Sequence, residues 1–393
     1  MPTKPKTVLM SDYASKFVCI GATCEDTCCT GWSIDVDEET HAKYLRKRGL
    51  KDVSFTSADN NHFMRCDSNT GYCEQNNEGW CNIQQQHGEE YLSETCYFFP
   101  RTLRKIDDQL FMGISLSCPE AAKSVLLGNT PLIQRTASVM ERKIKKVPNR
   151  APQYLNFEMA MEIHTQIITA LQNPDLTIDQ QIGRLIALCY ALSETEQISW
   201  HAATTFYMNS LAPSPPSPPR TVDNIHILLG LFSVAVTLES QFHPRLYRTI
   251  RDIEKSLHVQ LHWENGVLDY RPDNTEAVDA LLASWPKYKP HYEDFFRKWL
   301  INYAINNVLP FAGLGVSPKE QAYFLVIYYA SLRLAVMSAC YLKEAPISED
   351  EVVRIFQSIS RLYDQIVDAE IFFTTFDDPH WKHESSLRAI IGI

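Results

Sequence analysis

The chain has 393 residues, 45% of them hydrophobic, with 18 Phe, 18 Tyr and 7 Trp, ample material for a buried core in two domains or one large body with a cap. Lys and Arg number 37 against 47 Asp and Glu, a formal net charge of −10. With no long basic run, that balance argues against binding nucleic acid through phosphate contacts and is compatible with a basic partner such as a lysine-bearing protein.

The segment Met1–Met10 has two lysines but only a short apolar stretch, so no export signal is read there. No apolar run of about 18 residues follows, which argues against a membrane span. The expected compartment is the cytoplasm, where disulfides are disfavoured.

Nine of the 11 cysteines fall in the first 118 residues. The tight group is Cys19-Ile-Gly-Ala-Thr-Cys24-Glu-Asp-Thr-Cys28-Cys29-Thr-Gly31-Trp32, followed by Cys66, Cys73, Cys81, Cys96 and Cys118. Thiols interleaved with Gly, Thr and Asp describe a loop that wraps something. Thiolates from several loops can converge on Zn²⁺ or an iron–sulfur cluster, because both take soft sulfur ligands. A disulfide framework would need an oxidising compartment and a short, core-poor domain. Paired Cys-x₂₋₄-Cys zinc knuckles are missing, and adjacent Cys28 and Cys29 would strain to bind one metal together. Zinc and iron–sulfur both stay open on spacing alone. Cys189 and Cys340 stand in apolar helical contexts and read as small buried hydrophobes.

Further along the chain, Asp35, Asp37, Glu38 and Glu39 fit the capped start of a helix through Tyr44 and Arg48. Residues 119–127 form a short helix with Pro at its first turn and Gly128 beyond its end. Apolar residues at helical spacing predict helices over about 154–172, 177–208, 222–243, 276–309, 317–343 and 347–371, the last opened by a Ser348–Glu351 capping box. Pro213–Pro219 is a stiff exposed loop, and Val259–Tyr270, with Asn265-Gly266 at its centre, is a hairpin. The expected architecture is mainly α, a loop-rich cysteine-cluster metal domain over 1–128 packed on an α-helical body over 129–393, with the Pro-rich loop at 212–220. No Gly-x-Gly-x-x-Gly, Walker A loop or Gly-x-Ser-x-Gly elbow occurs, and there are only 14 Gly. His258 and His262, expected in a strand, and His380 and His383 read as surface or packing residues. His87-Gly88-Glu89-Glu90, between Cys81 and Cys96, is expected close to the metal centre.

The opening block from Cys19 to Ile34, with Asp37, Thr40 and Tyr44, resembles the signature of the flagellin lysine-N-methylase family. So do Cys81-x-Ile83, Gly88-Glu89, Leu92-Ser93-x-Thr95-Cys96, Phe99-Pro100-Arg101 and Leu116-Ser117-Cys118-Pro119-Glu120-Ala121-Ala122. A third block, Leu300-Ile-Asn302-Tyr303 through Asn307 to Pro310-Phe311, resembles the family's helical half. The resemblance implies methyl transfer from S-adenosylmethionine to lysines of flagellin, with a 4Fe–4S cluster (zinc being the alternative) held by Cys19, Cys24, Cys28, Cys29, Cys73, Cys81, Cys96 and Cys118. The Cys-x₃-Cys-x₂-Cys triplet of radical enzymes is absent, and the Cys73 segment departs from the family's wording, so that Cys66 is its alternate. Glu89, Glu120 and Tyr303 are the candidate groups for handling the lysine proton. The rival expectation is a non-catalytic cysteine-cluster metal protein or adaptor.

Overall fold

A computed structural model of the chain describes residues 6–107, 109–128, 134–139, 157–196, 199–209, 228–229, 232, 243–264, 267–269, 275–311, 317–366 and 383–391. The Pro-rich loop, most of the helix expected over 222–243, the Asn265-Gly266 turn and His380 lie outside those residues.

Strand β1 (Lys6–Ser11) leads into helix α1 (Asp12–Lys16), started by Ser11 Oγ accepting the amide of Ala14. The chain then runs mainly as loop to Asp37, with one 3-10 turn at Gly21–Thr23. Asp37 caps α2 (Glu38–Arg46) by accepting the amide of Thr40, so the acids here do start a helix. Two small antiparallel ribbons follow, β2 (Ser54–Thr56) with β3 (His62–Met64) and β4 (Asn76–Asn77) with β5 (Trp80–Cys81). Short helices α3 (Asn82–His87) and α4 (Glu94–Phe98) come next.

A four-stranded sheet that the sequence pattern does not announce then forms. Strands β6 (Arg101–Ile106) and β7 (Gln109–Ile114) make a hairpin, and β1 lies parallel to β7 with Val8 opposite Leu110. Helix α5 (Pro119–Leu126) follows β7, with Pro at its first turn as expected. Strand β8 (Gln134–Val139) returns antiparallel to β1, giving the order β6-β7-β1-β8.

The helical body begins with α6 (Phe157–Leu171). The helix expected over 177–208 is two, α7 (Ile178–Glu194) and α8 (Trp200–Asn209). Ser193 and Thr195 turn their hydroxyls back onto the carbonyls of Cys189 and Ala191, a local bonding that competes with helix continuation. Helix α9 (Pro244–Leu257) ends at His258 in a left-handed conformation, so His258 closes a helix rather than lying in a strand. The hairpin pairs β9 (His262–Glu264) with β10 (Val267–Asp269). The helix expected over 276–309 is likewise divided, into α10 (Thr275–Tyr288) and α11 (Glu293–Asn307), by a turn at Lys289–His291. Pro290 disfavours the helical conformation at Lys289 and offers no amide. Helix α12 (Pro318–Lys343) and α13 (Glu349–Arg361) both start from complete capping boxes, at Ser317–Glu320 and Ser348–Glu351. Past α13 the chain takes a π turn over Leu362–Ile366, the rest of the helix expected to 371 lies outside the described residues, and α14 (Glu384–Ile391) closes the described chain.

Helix α12 is long and apolar enough to cross a membrane by length and composition, yet 83% of its most apolar window is buried inside the fold. Its apolarity serves the core. Cys189 and Cys340 are fully buried packing residues, as expected. Buried apolar side chains gather into two groups. The larger joins the sheet to the helices from Val8 to Ile391, and the smaller, from Ile34 to Leu92, underlies the cysteine region. The molecule is mainly α, with loop-rich cysteine segments set against a helical body.

Candidate functional site

Several of the thiols stand where backbone amides point at sulfur. Cys81 is the N-cap of α3, Cys118 the N-cap of α5, and Cys96 lies in the first turn of α4, where its amide bonds Ser93 Oγ at 3.2 Å. Helix N-termini present unpaired amides and the positive end of the dipole, and both stabilise a thiolate. Burial pushes the Cys118 thiol up to about 12, while the amides of Ala121 and Glu120 pull against that shift. Cys81 and Cys73 are raised for the same reason, opposed by amides of Gln84 and Ile83 at Cys81 and of Gln75 at Cys73. Burial without a cation keeps these thiols protonated, and a bound cation would reverse that balance by stabilising the thiolates that the amides already face.

The cysteines divide into two neighbourhoods that meet at Cys28-Cys29. Cys118 feels the charge of Cys24 and Cys19, whereas Cys73 feels Cys29, Cys96 and Cys66. Cys28 and Cys29 face each other with sulfurs 4.0 Å apart. Cys28 is raised because it shares its proton with Cys29 and is buried, and it also senses Cys96 and Cys118. Cys29 is lowered because Cys28 donates to it, with Thr27 and the Arg361 guanidinium assisting. Cys66 pairs with Cys73 across an isolated antiparallel bridge, which makes it the spatial neighbour of the thiol it was an alternate for. No disulfide joins cysteines among the described residues. No three His, Cys, Asp or Glu side chains among the described residues stand close enough to hold a single metal ion.

The loop bearing Cys24, Cys28 and Cys29 is strapped down by the helical body. Arg361 of α13, 2% exposed, pairs with Asp26 at 2.6 Å and donates to the carbonyls of Thr27 and Thr30. Gln357 of the same helix donates to Asp26 and to the carbonyl of Ser117. His243, at the start of α9, sets Nε2 2.7 Å from the carbonyl of Gly31. Burial, helped by the Arg361 charge, lowers His243 to about 4, so it stays neutral. Gly31 has φ +72°, and a Cβ there would collide with the His243 ring. Glycine is required for both reasons. Inside the region, Trp32 Nε1 donates to the carbonyl of Cys28 and the Cys73 amide to that of Cys29, both at 2.8 Å.

The three proton-handling candidates have separate neighbours. Glu89 is exposed, in the turn after Gly88, within electrostatic reach of Arg101. Glu120 lies in the first turn of α5, facing Lys123 at 3.4 Å and adding its charge to Cys24. Tyr303 is buried in α11; burial raises its phenol far above the ordinary value, and its hydroxyl has no hydrogen-bond partner among the described residues.

The block around Tyr303 has a visible purpose. Asn302 and Asn306 both donate to the carbonyl of Ile114, at 3.0 and 2.7 Å, and Asn306 Oδ1 accepts the Ile114 amide at 2.7 Å. Gly113 permits that approach, since a Cβ there would strike Asn306. Helix α11 thus grips the end of β7, four residues before Cys118. At the same strand end Ser115 bonds both Ser117 and Asp364, an aspartate in the π turn that sequence reasoning did not single out. Only its bond to Ser115 in three dimensions reveals it.

The C-terminal domain of the FliB lysine N-methylase family matches residues 164–368. A lysine-N-methylase of Salmonella typhimurium is 29% identical over 150 residues, covering 34% of this chain and 37% of that protein. The flagellar biosynthetic protein FliU of Salmonella muenchen is 30% identical over 133 residues, 31% of this chain and 79% of FliU. The chain therefore spans well under half the length of the methylase it matches. No solved structure matches the chain.

Proposed function

The chain belongs to the FliB lysine N-methylase family, and from that premise we propose that it is a protein-lysine N-methyltransferase that moves methyl groups from S-adenosylmethionine to flagellin in the cytoplasm, with an iron–sulfur cluster in its site. The observation that carries the reading is the family match across residues 164–368. The name of the Salmonella muenchen relative supports a flagellar substrate, and flagellin is its lysine-bearing candidate.

The donor set supports the inorganic centre. Cys28 and Cys29 with Cys73, Cys81, Cys96 and Cys118 supply half-buried to buried sulfurs, three of them at helix starts, and Cys19 and Cys24 lie beside Cys118. A mononuclear zinc site would need four sulfurs mutually about 3.8 Å apart, given Zn–S bonds of about 2.3 Å. A polynuclear cluster binds each thiolate to a different iron and suits a wider cage, which supports it over a single zinc ion for thiols this dispersed. When bound, such a cluster would supply an iron position able to ligate the donor's amino and carboxylate groups.

The chain's own residues do the remaining work. Arg361, Gln357 and His243 hold the thiol loop to α9 and α13, and α11 fixes the strand that delivers Cys118. In the transfer the lysine nitrogen gains a methyl group, the donor sulfonium becomes a thioether, and the nitrogen gives up one proton. A lysine ammonium holds that proton to about pH 10.4 in water, so the site must desolvate it or offer a base. Glu120, beside the thiols, is the better-placed base, and Tyr303, kept protonated by burial, acts as a hydrogen-bond donor. Glu89 is the outlying candidate.

The test incubates anaerobically purified protein with S-adenosylmethionine and purified flagellin and reads flagellin by mass spectrometry. The reading expects lysine adducts in steps of about 14 Da. Unmodified flagellin with iron-loaded protein and intact donor would overturn it.

A further inference from the structure

The end of β7 is a junction where strand, α11 and the π turn meet. Asp364 sits there, bonded to Ser115, and remains accessible although protein surrounds its carboxyl on every side. Its carboxyl is thus hemmed in by the surrounding fold and still open, at a concave part of the molecule. Other polar atoms at this junction lack partners among the described residues: the Tyr303 hydroxyl, Oδ1 of Asn302 and Oε1 of Gln357. All three residues are almost fully buried. Unsatisfied buried acceptors are expensive, and two of them at the strand end that also holds a carboxyl leave room for a donor. Aromatic rings stand close by. Tyr303 meets Tyr328 edge to face at 6.0 Å, Trp299 lies 5.7 Å from Tyr303, and Tyr328 stacks on Tyr363 at 4.3 Å between centroids. A carboxylate with acceptors and aromatic faces is the chemistry that takes an alkylammonium and keeps taking it as methyl groups replace its protons.

We propose that Asp364, Ser115 and Tyr303 line the pocket that receives the ε-ammonium of the acceptor lysine, with Asp364 positioning the cation and the phenol ring of Tyr303 lying against its carbon stem. The proposal rests on the methylase reading and adds to it the place of the acceptor. Four observations support it independently of the family. Asp364 is held by the segment that runs directly into Cys118, so an amine seated there lies beside the thiol region. Burial raises the carboxyl to about 6, with Ser115 and the Arg104 charge pulling it partly back, so a further cation seated against it would stabilise its charged form. The π turn that carries it is a rare backbone form that concentrates at functional positions. Tyr303 stays protonated and so does not compete as a second anion.

The same ammonium chemistry could be supplied by the α-amino group of S-adenosylmethionine, and the experiment separates the two. Calorimetry measures binding of n-butylamine and, separately, of S-adenosylmethionine to the full chain, its Asp364→Asn variant and its Tyr303→Phe variant. The expected result is a loss of n-butylamine affinity of about tenfold or more in Asp364→Asn, as removal of a desolvated charge partner produces, with S-adenosylmethionine affinity unchanged. Tyr303→Phe, which removes only a hydroxyl, should keep the amine within about threefold. Ser115→Ala, titrated in the same way, carries the test if Asp364→Asn does not fold. It should lose n-butylamine affinity by more than about threefold with S-adenosylmethionine unchanged, and equal binding would overturn the proposal. Loss of S-adenosylmethionine affinity with n-butylamine retained would overturn the proposal and give the pocket to the donor. Equal n-butylamine binding by wild type and Asp364→Asn would also overturn it. Because butylamine binding requires no turnover, a failed methylation assay beside a positive titration condemns the enzyme reading and spares the pocket.

Discussion

The cysteine region and the helical body are stabilised by different means. The body buries long apolar faces: α12 alone contributes Leu325, Val326, Ile327, Tyr329 and Leu332 at 0% exposure. The cysteine region rests on nine buried residues, Ile34, Val36, Tyr44, Leu50, Val53, Met64, Cys73, Ile83 and Leu92, under short ribbons and loops. A core that small does not order so much loop without staples. The staples visible are polar straps from the body, through Arg361, Gln357 and His243, and the thiols themselves are the remaining resource. The contrast teaches that the body should stand alone, whereas the cysteine region should depend on its ligands and on the body.

The largest effect expected is from the thiols. Replacing Cys96 and Cys118 together by Ser should abolish bound iron and loosen residues 19–98, while α12 and α13 stay protected in hydrogen exchange, because metal affinity is folding energy for the segment that holds it. Equal loosening of both regions would break the comparison. Next comes Arg361→Met, which removes the ionic partner of Asp26 and the donor to the carbonyls of Thr27 and Thr30. A loss of about 3 kcal/mol is expected in denaturant melts, with faster thiol labelling at Cys28 and Cys29. Gly31→Ala should cost about 2 kcal/mol, from the left-handed backbone and the His243 clash together. The smallest effect is acid sensitivity. His243 is held near 4 against about 6.5 in an unfolded chain, so the unfolded state binds the extra proton between those values and stability falls as pH drops through that window. His243→Gln should flatten that slope in melts taken between pH 7 and 4.5.

Much of the body was legible. The capping box at Ser348 and the long apolar stripe of α12 gave their helices local signals that tertiary packing had no reason to override. The breaks were less so: Thr195 and Pro290 are short interruptions inside patterns whose apolar spacing continues past them. The sheet was invisible because β1 pairs with β7 across a hundred residues, and β8 reads as a polar segment. At the site, the thiols announced themselves by density, and Cys81 and Cys118 stand at helix starts that the sequence half revealed through Pro119. Asp364 did not, since in sequence it is one acid on a helical pattern, turned inward only by the π turn that follows α13.

The most direct measurement takes protein prepared without oxygen and quantifies its iron and zinc alongside hydrogen exchange, before and after a strong iron chelator. The account predicts several irons per chain with absorbance near about 400 nm, and exchange that rises after chelation in residues 19–98 but not in α12. Metal-free protein whose cysteine region is already as protected as α12 would contradict it.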